Sequence, residues 1–286
     1  MHESHELHRV LDLEPMGDDT FRGPAMDSDV FVRTFGGHTA AQAIAAATAT
    51  IEDDKRVHSL HSYFLRPCKA DDDTTYTVTR LKDGRSFSTR RVEAWQDEAL
   101  CYSMIASFHH ANDAGPEHAE PMPDLPAPET LEIPSTIPSG VTGAERDYRE
   151  WDIRIAADGP TPDAASTVSG RSIWFRYKYE LPDEDAFHAC ALVYMSDMTL
   201  LFSALAAHPE YEAQLASLDH TVWFFRPVRV NEWLLYHQSS PSATSGRSLV
   251  QGRLFDASGN LVALVAQEGL TRELQTGETQ VPVRRS

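Results

Sequence analysis

The chain contains one of its own segments twice. The stretch SLDHTVWFFRP at residues 217–227 is a second version of SLHSYFLRP at 59–67. Ser59 falls on Asp219, Phe64 on Phe224, Arg66 on Arg226 and Pro67 on Pro227, all at an offset of 160. Gly84-Arg85-Ser86 then recurs as Gly246-Arg247-Ser248, and Arg91 as Arg253, at an offset of 162, so the register survives one small insertion. A fold unit written twice constrains the architecture more than any composition figure, because each copy must repeat the same layers. The 286 residues then divide into two like halves, each long enough for an ordinary core.

Within the first half, residues around Gly17 and Gly23 read as turns and DVFVRTF as a strand. Residues 35–51, FGGHTAAQAIAAATATI, predict a helix opened by glycines and so rich in alanine that another backbone can approach it closely. Strands follow at 57–65, 74–81, SFSTRRVEAW and LCYSMIASF, with turn signals at Asp83-Gly84 and Asp97-Glu98. From about residue 111 to 147 the prolines cluster, and an extended linker is expected. In the second half WDIRIAA and SIWFRYKYE predict strands. Apolar spacing at Leu192, Met195, Met198, Leu201 and Leu205 then predicts one helix, and strands follow at 218–225, 233–238, 248–256 and 261–271. At the 160 offset Gly36-Gly37-His38-Thr39 falls on Ser196-Asp197-Met198-Thr199, which makes the two helices counterparts. The fold class is therefore α+β: a helix on an antiparallel sheet, made twice, in halves 1–110 and 148–286 joined by a linker at 111–147.

Charge and motifs remove several functions. A net charge of -18 argues against nucleic acid or an anionic membrane as partner, since both require a basic face. Three dispersed cysteines, Cys68, Cys101 and Cys190, suggest neither a disulfide framework nor a zinc site. No uninterrupted apolar run reaches the roughly 18 residues of a membrane span. The start MHESHELHRV lacks the blocks of a signal peptide, so a soluble, cytoplasmic protein is expected. The nucleophile elbow, the zinc-protease helix, the P-loop and the dinucleotide fingerprint do not occur.

Several motifs stand in one order along the chain: FGGHTAAQA, VHSLHSYFLRP, LKDGRSFSTRRVEAWQ and IASF, then SDMTLL, LDHTVWFFRP, NEWLLY and VAQEG. In this they resemble the type II (TesB-like) acyl-CoA thioesterase family, from about Leu11 to Glu273. The resemblance implies a double hotdog fold that hydrolyses acyl-CoA to a free fatty acid and CoA without metal or cofactor. It further implies a homo-oligomer, dimer or tetramer. Carried over residue by residue, it makes Asp197 of SDMTLL, Ser217 of ASLDH and Gln267 of VAQEG the side chains that hold the attacking water. Family members often carry Gln where this chain has His38.

The chemistry is sound on its own terms. A thioester carbonyl yields to an oriented water if a base takes its proton and a dipole meets the oxyanion. A carboxylate is ionised at neutral pH, and a hydroxyl and an amide each donate and accept. Free N–H groups at Gly36 and Gly37, at a helix start, suit a carbonyl oxygen or a phosphate. His38, His61 and Arg85 complete the candidate substrate-binding set, with arginine suited to the CoA phosphates. Taken singly, each residue has a plainer role. An Asp near a helix start is commonly an N-cap, a Ser beside a strand a turn residue, and a strand His a packing residue. A serine-hydrolase arrangement of Ser217 with Asp219-His220 fails because neighbours on a strand point to opposite faces. Two alternatives stay open at this point: a lyase of the same fold hydrating enoyl-CoA, and a non-catalytic acyl-CoA binder.

Overall fold

The computed structural model describes residues 5–26, 28–52, 54–110, 113–134, 149–160, 169–275 and 279–283. The first half contains helix α1 (Glu6–Leu11), the hairpin β1 (Glu14–Gly17) and β2 (Thr20–Gly23), helix α2 (Gly36–Thr48), and strands β3 (Arg56–Phe64), β4 (Thr74–Asp83), β5 (Phe87–Gln96) and β6 (Ala99–His109). The second contains β7 (Trp151–Pro160), β8 (Ser169–Tyr177), helix α3 (Asp185–Ser196), β9 (Ala213–Ser217), β10 (Asp219–Phe224), β11 (Leu234–Thr244), β12 (Arg247–Asp256) and β13 (Leu261–Glu273). Among the described residues these strands join into one antiparallel sheet in the order β1-β2-β4-β5-β6-β3-β10-β13-β12-β11-β8-β7, with β9 also paired to β13.

The repeated segments are β3 and β10, and they pair with each other at the middle of that sheet. His61 lies opposite Thr221, its own counterpart at the 160 offset, while Leu60 meets Val222 and Ser62 meets His220. The two halves are thus related by a pseudo-two-fold through the His61–Thr221 pair, an arrangement that lets one surface be its own complement. Both helices lie on one face of the sheet and pack on each other. Ala40, Ala41, Ala43, Ala46 and Ala47 of α2 are all fully buried. Side chains this small bring the α2 backbone close to its neighbours, and a larger residue there would overpack by roughly 1–3 kcal/mol.

Three features depart from the sequence reading. DVFVRTF forms only the isolated bridges Phe31–Val283 and Arg33–Lys69, whereas the turn-rich segment before it makes the β1–β2 hairpin, with Asp18 and Asp19 at positive φ in its turn. Ser217 ends the short strand β9 instead of opening the strand that follows. Most consequentially, the expected second-half helix stops at Ser196, and a 3-10 turn, Leu201–Leu205, takes over after four residues. The Tyr236 hydroxyl donates to the Ser196 carbonyl at 2.9 Å, the Ser203 hydroxyl donates back to the Leu200 carbonyl, and Ser196 Oγ lies 2.9 Å from the Val193 carbonyl. Such bonds satisfy backbone groups that a continuing α-helix would have used. The whole stretch Asp185–Leu205 is apolar and long enough by composition to cross a membrane, although polar residues interrupt it. In this protein 89% of its apolar window is buried in the core.

The outer face of the sheet differs between halves. Over the second half, residues 113–134 lay Met122, Leu125 and Leu131 against Trp174, Leu235, Phe255 and Leu261. The Trp174 indole donates to the Pro126 carbonyl at 2.9 Å, and Arg253 pairs with Glu120 at 2.5 Å. Over the first half, Tyr63 and Ile105 stand 61% and 47% exposed.

Candidate active site

Asp197 occupies the C-cap of α3, where the break turns the chain. The sequence reading placed it at a helix start, so an N-cap role is excluded by the fold. β13 carries Gln267 inward next to β9, whose Ser217 lies opposite Gly269. Asp197 Oδ1 accepts from the Gln267 amide at 2.8 Å and from the Ser217 hydroxyl at 3.2 Å, and the amide also reaches Ser217 Oγ at 2.5 Å. Gln267 is fully buried and Asp197 nearly so, which puts this polar cluster where bulk water competes weakly.

Asp197 and Ser217 line a cavity of about 340 Å³. Its wall is mostly apolar, drawn from both halves: Phe35, Phe64 and Tyr102 from the first, Leu201, Phe202 and Leu215 from the second. Val281 and Pro282 also line it, held there by a Gln280 carbonyl that accepts from Leu215 N at 2.8 Å. Gly36, the first residue of α2, faces Asp197 so closely that a Cβ there would sit 2.5 Å from Oδ2. The cavity thus meets the N-terminus of one helix and the C-terminal end of the other.

The remaining substrate-binding candidates separate. Gly37 is buried behind Gly36, where a Cβ would collide with the Tyr194 carbonyl and the Phe35 ring. His38 turns away from the cavity, with Nε2 3.1 Å from the Pro24 carbonyl, and burial pushes its pKa down to about 4. It is a buried, neutral residue that does not line the cavity. His61 is exposed on the outer face, edge-on to Trp223 at 5.3 Å, because strand alternation sends Leu60 and Ser62 inward. Arg85 is exposed on the β4–β5 hairpin, next to the end of β3 opposite the cavity. Neither His61 nor Arg85 lines the cavity.

Arginines of the cavity rim are better placed. Arg33 and Arg66 line it, and neither pairs with a carboxylate among the described residues. Many other described arginines of this acidic chain do, among them Arg22, Arg56, Arg80, Arg90, Arg176 and Arg229. Arg66 spends one nitrogen on the Leu100 carbonyl at 2.8 Å. Sequence reasoning missed Arg33, although its place three residues before the glycines of α2 was visible. Nothing in the sequence marked Val281 as cavity wall.

A helix-and-sheet unit duplicated across a pseudo-two-fold, with one carboxylate–hydroxyl–amide cluster at the seam, defines a double hotdog enzyme. Comparison with known proteins supplies the family. A family model described as acyl-CoA thioesterase matches residues 145–270, and one described as acyl-CoA thioesterase N-terminal domain matches residues 27–109. Acyl-CoA thioesterase 2 of Haemophilus influenzae is 32% identical, covering 93% of this chain and 96% of that protein. Mouse (Mus musculus) acyl-coenzyme A thioesterase 8 is 34% identical, covering 92% and 88%. The crystal structure of acyl-CoA thioesterase II TesB2 from Mycobacterium marinum superposes with a TM-score of 0.82 at 44% identity, covering 95% of this chain and all (100%) of that one. The dehydratase domain of RzxB from Pseudomonas fluorescens, at 11% identity and a TM-score of 0.53, shares the fold alone. The chain belongs to the acyl-CoA thioesterase family, and it is an enzyme that hydrolyses acyl-CoA thioesters. The lyase and non-catalytic alternatives are thereby set aside.

Proposed function

We propose that the chain hydrolyses fatty acyl-CoA by direct attack of a water held on Asp197, Ser217 and Gln267. The observation that carries this is the convergence of the Ser217 and Gln267 donors on one oxygen of Asp197, at the wall of an apolar cavity. Those two bonds fix the carboxylate and leave Oδ2, beside Gly36, to accept the water's proton. The hydroxide character so produced adds to the thioester carbon. The oxyanion that forms meets the N–H groups at the start of α2, where the helix dipole favours negative charge. Collapse then breaks the carbon–sulfur bond, and the proton held by Asp197 passes to the departing CoA thiolate. The acyl chain occupies the apolar cavity, while Arg33 and Arg66 receive phosphate groups of CoA at its rim.

Release of free thiol from acyl-CoAs of graded length tests the reading. Asp197→Asn is expected to lower kcat about 1,000-fold with the fold intact by circular dichroism. Wild-type turnover by that variant would remove Asp197 from the mechanism. We also propose a homo-oligomer formed through the uncovered outer face of the first half, where Tyr63 and Ile105 are exposed. Light scattering is expected to show Ile105→Glu at the mass of a single chain and the wild type at a multiple of it.

A further inference from the structure

Gln267 serves the cluster only when its amide faces one way. Turned by 180°, it would set Oε1 against the Asp197 carboxylate and lose both donated bonds. What holds it lies on the far side of the amide. Gln267 Oε1 is buried without a hydrogen-bond partner among the described residues, and so is Nδ1 of His220. The two residues are neighbours across the β10–β13 ladder, where Thr221 pairs with Ala266, and both side chains are 0% exposed. On the other edge of the ring, Nε2 lies 2.9 Å from Ser196 Oγ.

Burial pushes the His220 pKa down, against the opposing pull of Asp197 and of the Gln267 amide, so the ring is neutral and carries a single N–H. Two placements are available for that proton. On Nε2 it would leave Nδ1 and Oε1 as two unpaired acceptors in the core, a cost of about 1–3 kcal/mol for each. On Nδ1 it serves Oε1, while the Ser196 hydroxyl turns its single proton from the Val193 carbonyl to Nε2; one peptide carbonyl then loses a side-chain donor, against two bare buried acceptors in the other placement.

We propose that His220, held by Ser196 as the Nδ1–H tautomer, is a positioning residue that locks the Gln267 amide toward Asp197 and Ser217. The donors then run in one direction, from Ser196 to His220 to Gln267 to the cluster that orients the water. This rests on the role given to Gln267 above.

The test measures kcat and KM for thiol release in His220→Leu, His220→Asn and Ser196→Ala, each in the wild-type and the Gln267→Ala background. In the wild-type background His220→Leu is expected to lower kcat about 30-fold, with KM within about twofold. His220→Asn, which still presents an N–H near the Nδ1 position, is expected to recover most of that loss. In the Gln267→Ala background none of the three is expected to lower kcat further, because the amide they position is gone. Equal losses in both backgrounds, or an unchanged kcat in His220→Leu, would overturn the positioning role while leaving Gln267 in place. If His220→Leu fails to fold, Ser196→Ala decides by the same criterion. Wild-type turnover by Gln267→Ala alone would overturn both the positioning role and the proposed use of Gln267.

Discussion

The two halves share a frame and differ in what they do with it. Tyr76 and Tyr236 are counterparts at the 160 offset, each buried under its helix. Tyr76 donates to the Gln42 side chain of an unbroken α2, while Tyr236 donates to the Ser196 carbonyl where α3 ends. At the 162 offset, the buried Arg90 of the first half corresponds to Gly252. Arg90 bonds Thr50 and Asp83 beyond the α2 C-terminus, whereas Gly252 makes room for the Tyr236 ring. The position taken by Gly37 in one copy is Asp197 in the other. Duplication thus freed one copy to keep a continuous helix, whose N-terminus faces the site, while the other broke its helix to aim a carboxylate. Neither half lines the cavity alone.

Substitutions that trade features between halves test this division. The largest effect is expected at Gly36→Ala, whose Cβ would meet Asp197 Oδ2 at 2.5 Å and Phe64 at 2.9 Å. Shifting the carboxylate by such a distance is expected to lower kcat about 100-fold, read by thiol release, with little change in thermal midpoint.

Next comes His38, whose counterpart Met198 does not titrate. Its folded pKa of about 4 lies below the ordinary 6.5, so the unfolded chain binds the extra proton first. The neutral histidine's contribution is complete above pH 6.5 and is lost as pH falls toward 4, amounting to about 2 kcal/mol at pH 5. Urea unfolding of His38→Gln is expected to lack that part of the acid loss between pH 7 and pH 5.

The smallest effect separates a pair of matched arginines. Arg66 and Arg226 make the same brace, to the Leu100 and Leu261 carbonyls, but only Arg66 lines the cavity. Arg66→Ala is expected to raise KM for acyl-CoA about tenfold with kcat retained, while Arg226→Ala and Arg85→Ala leave KM unchanged.

Much of this was legible in the chain. The repeat gave two like halves, but it did not say which strands would join them; the structure pairs the two copies, 59–67 and 217–227, with each other. The family motifs singled out Asp197, Ser217 and Gln267, which the fold brings within hydrogen-bonding distance. The helix break was hidden because Met195, Met198, Leu201 and Leu205 keep a helical period straight across it, and periodicity senses burial more than hydrogen bonding. His61 was misplaced because Leu60 with Ser62 and His61 with Tyr63 each mix an apolar or aromatic residue with a polar one, so alternation cannot name the inner face. Arg85 drew attention by recurring as Arg247. Both mark a hairpin turn, β4–β5 and β11–β12, and it is the turn that is repeated.

The β3–β10 ladder has one further consequence. Because the proposed water-holding side chains sit on one side of that central junction and the α2 N–H groups proposed to meet the oxyanion on the other, catalysis should report on its closure. Warming or denaturant that loosens the junction, whose core is shared by both copies, should silence the enzyme, making turnover a gauge of the junction itself.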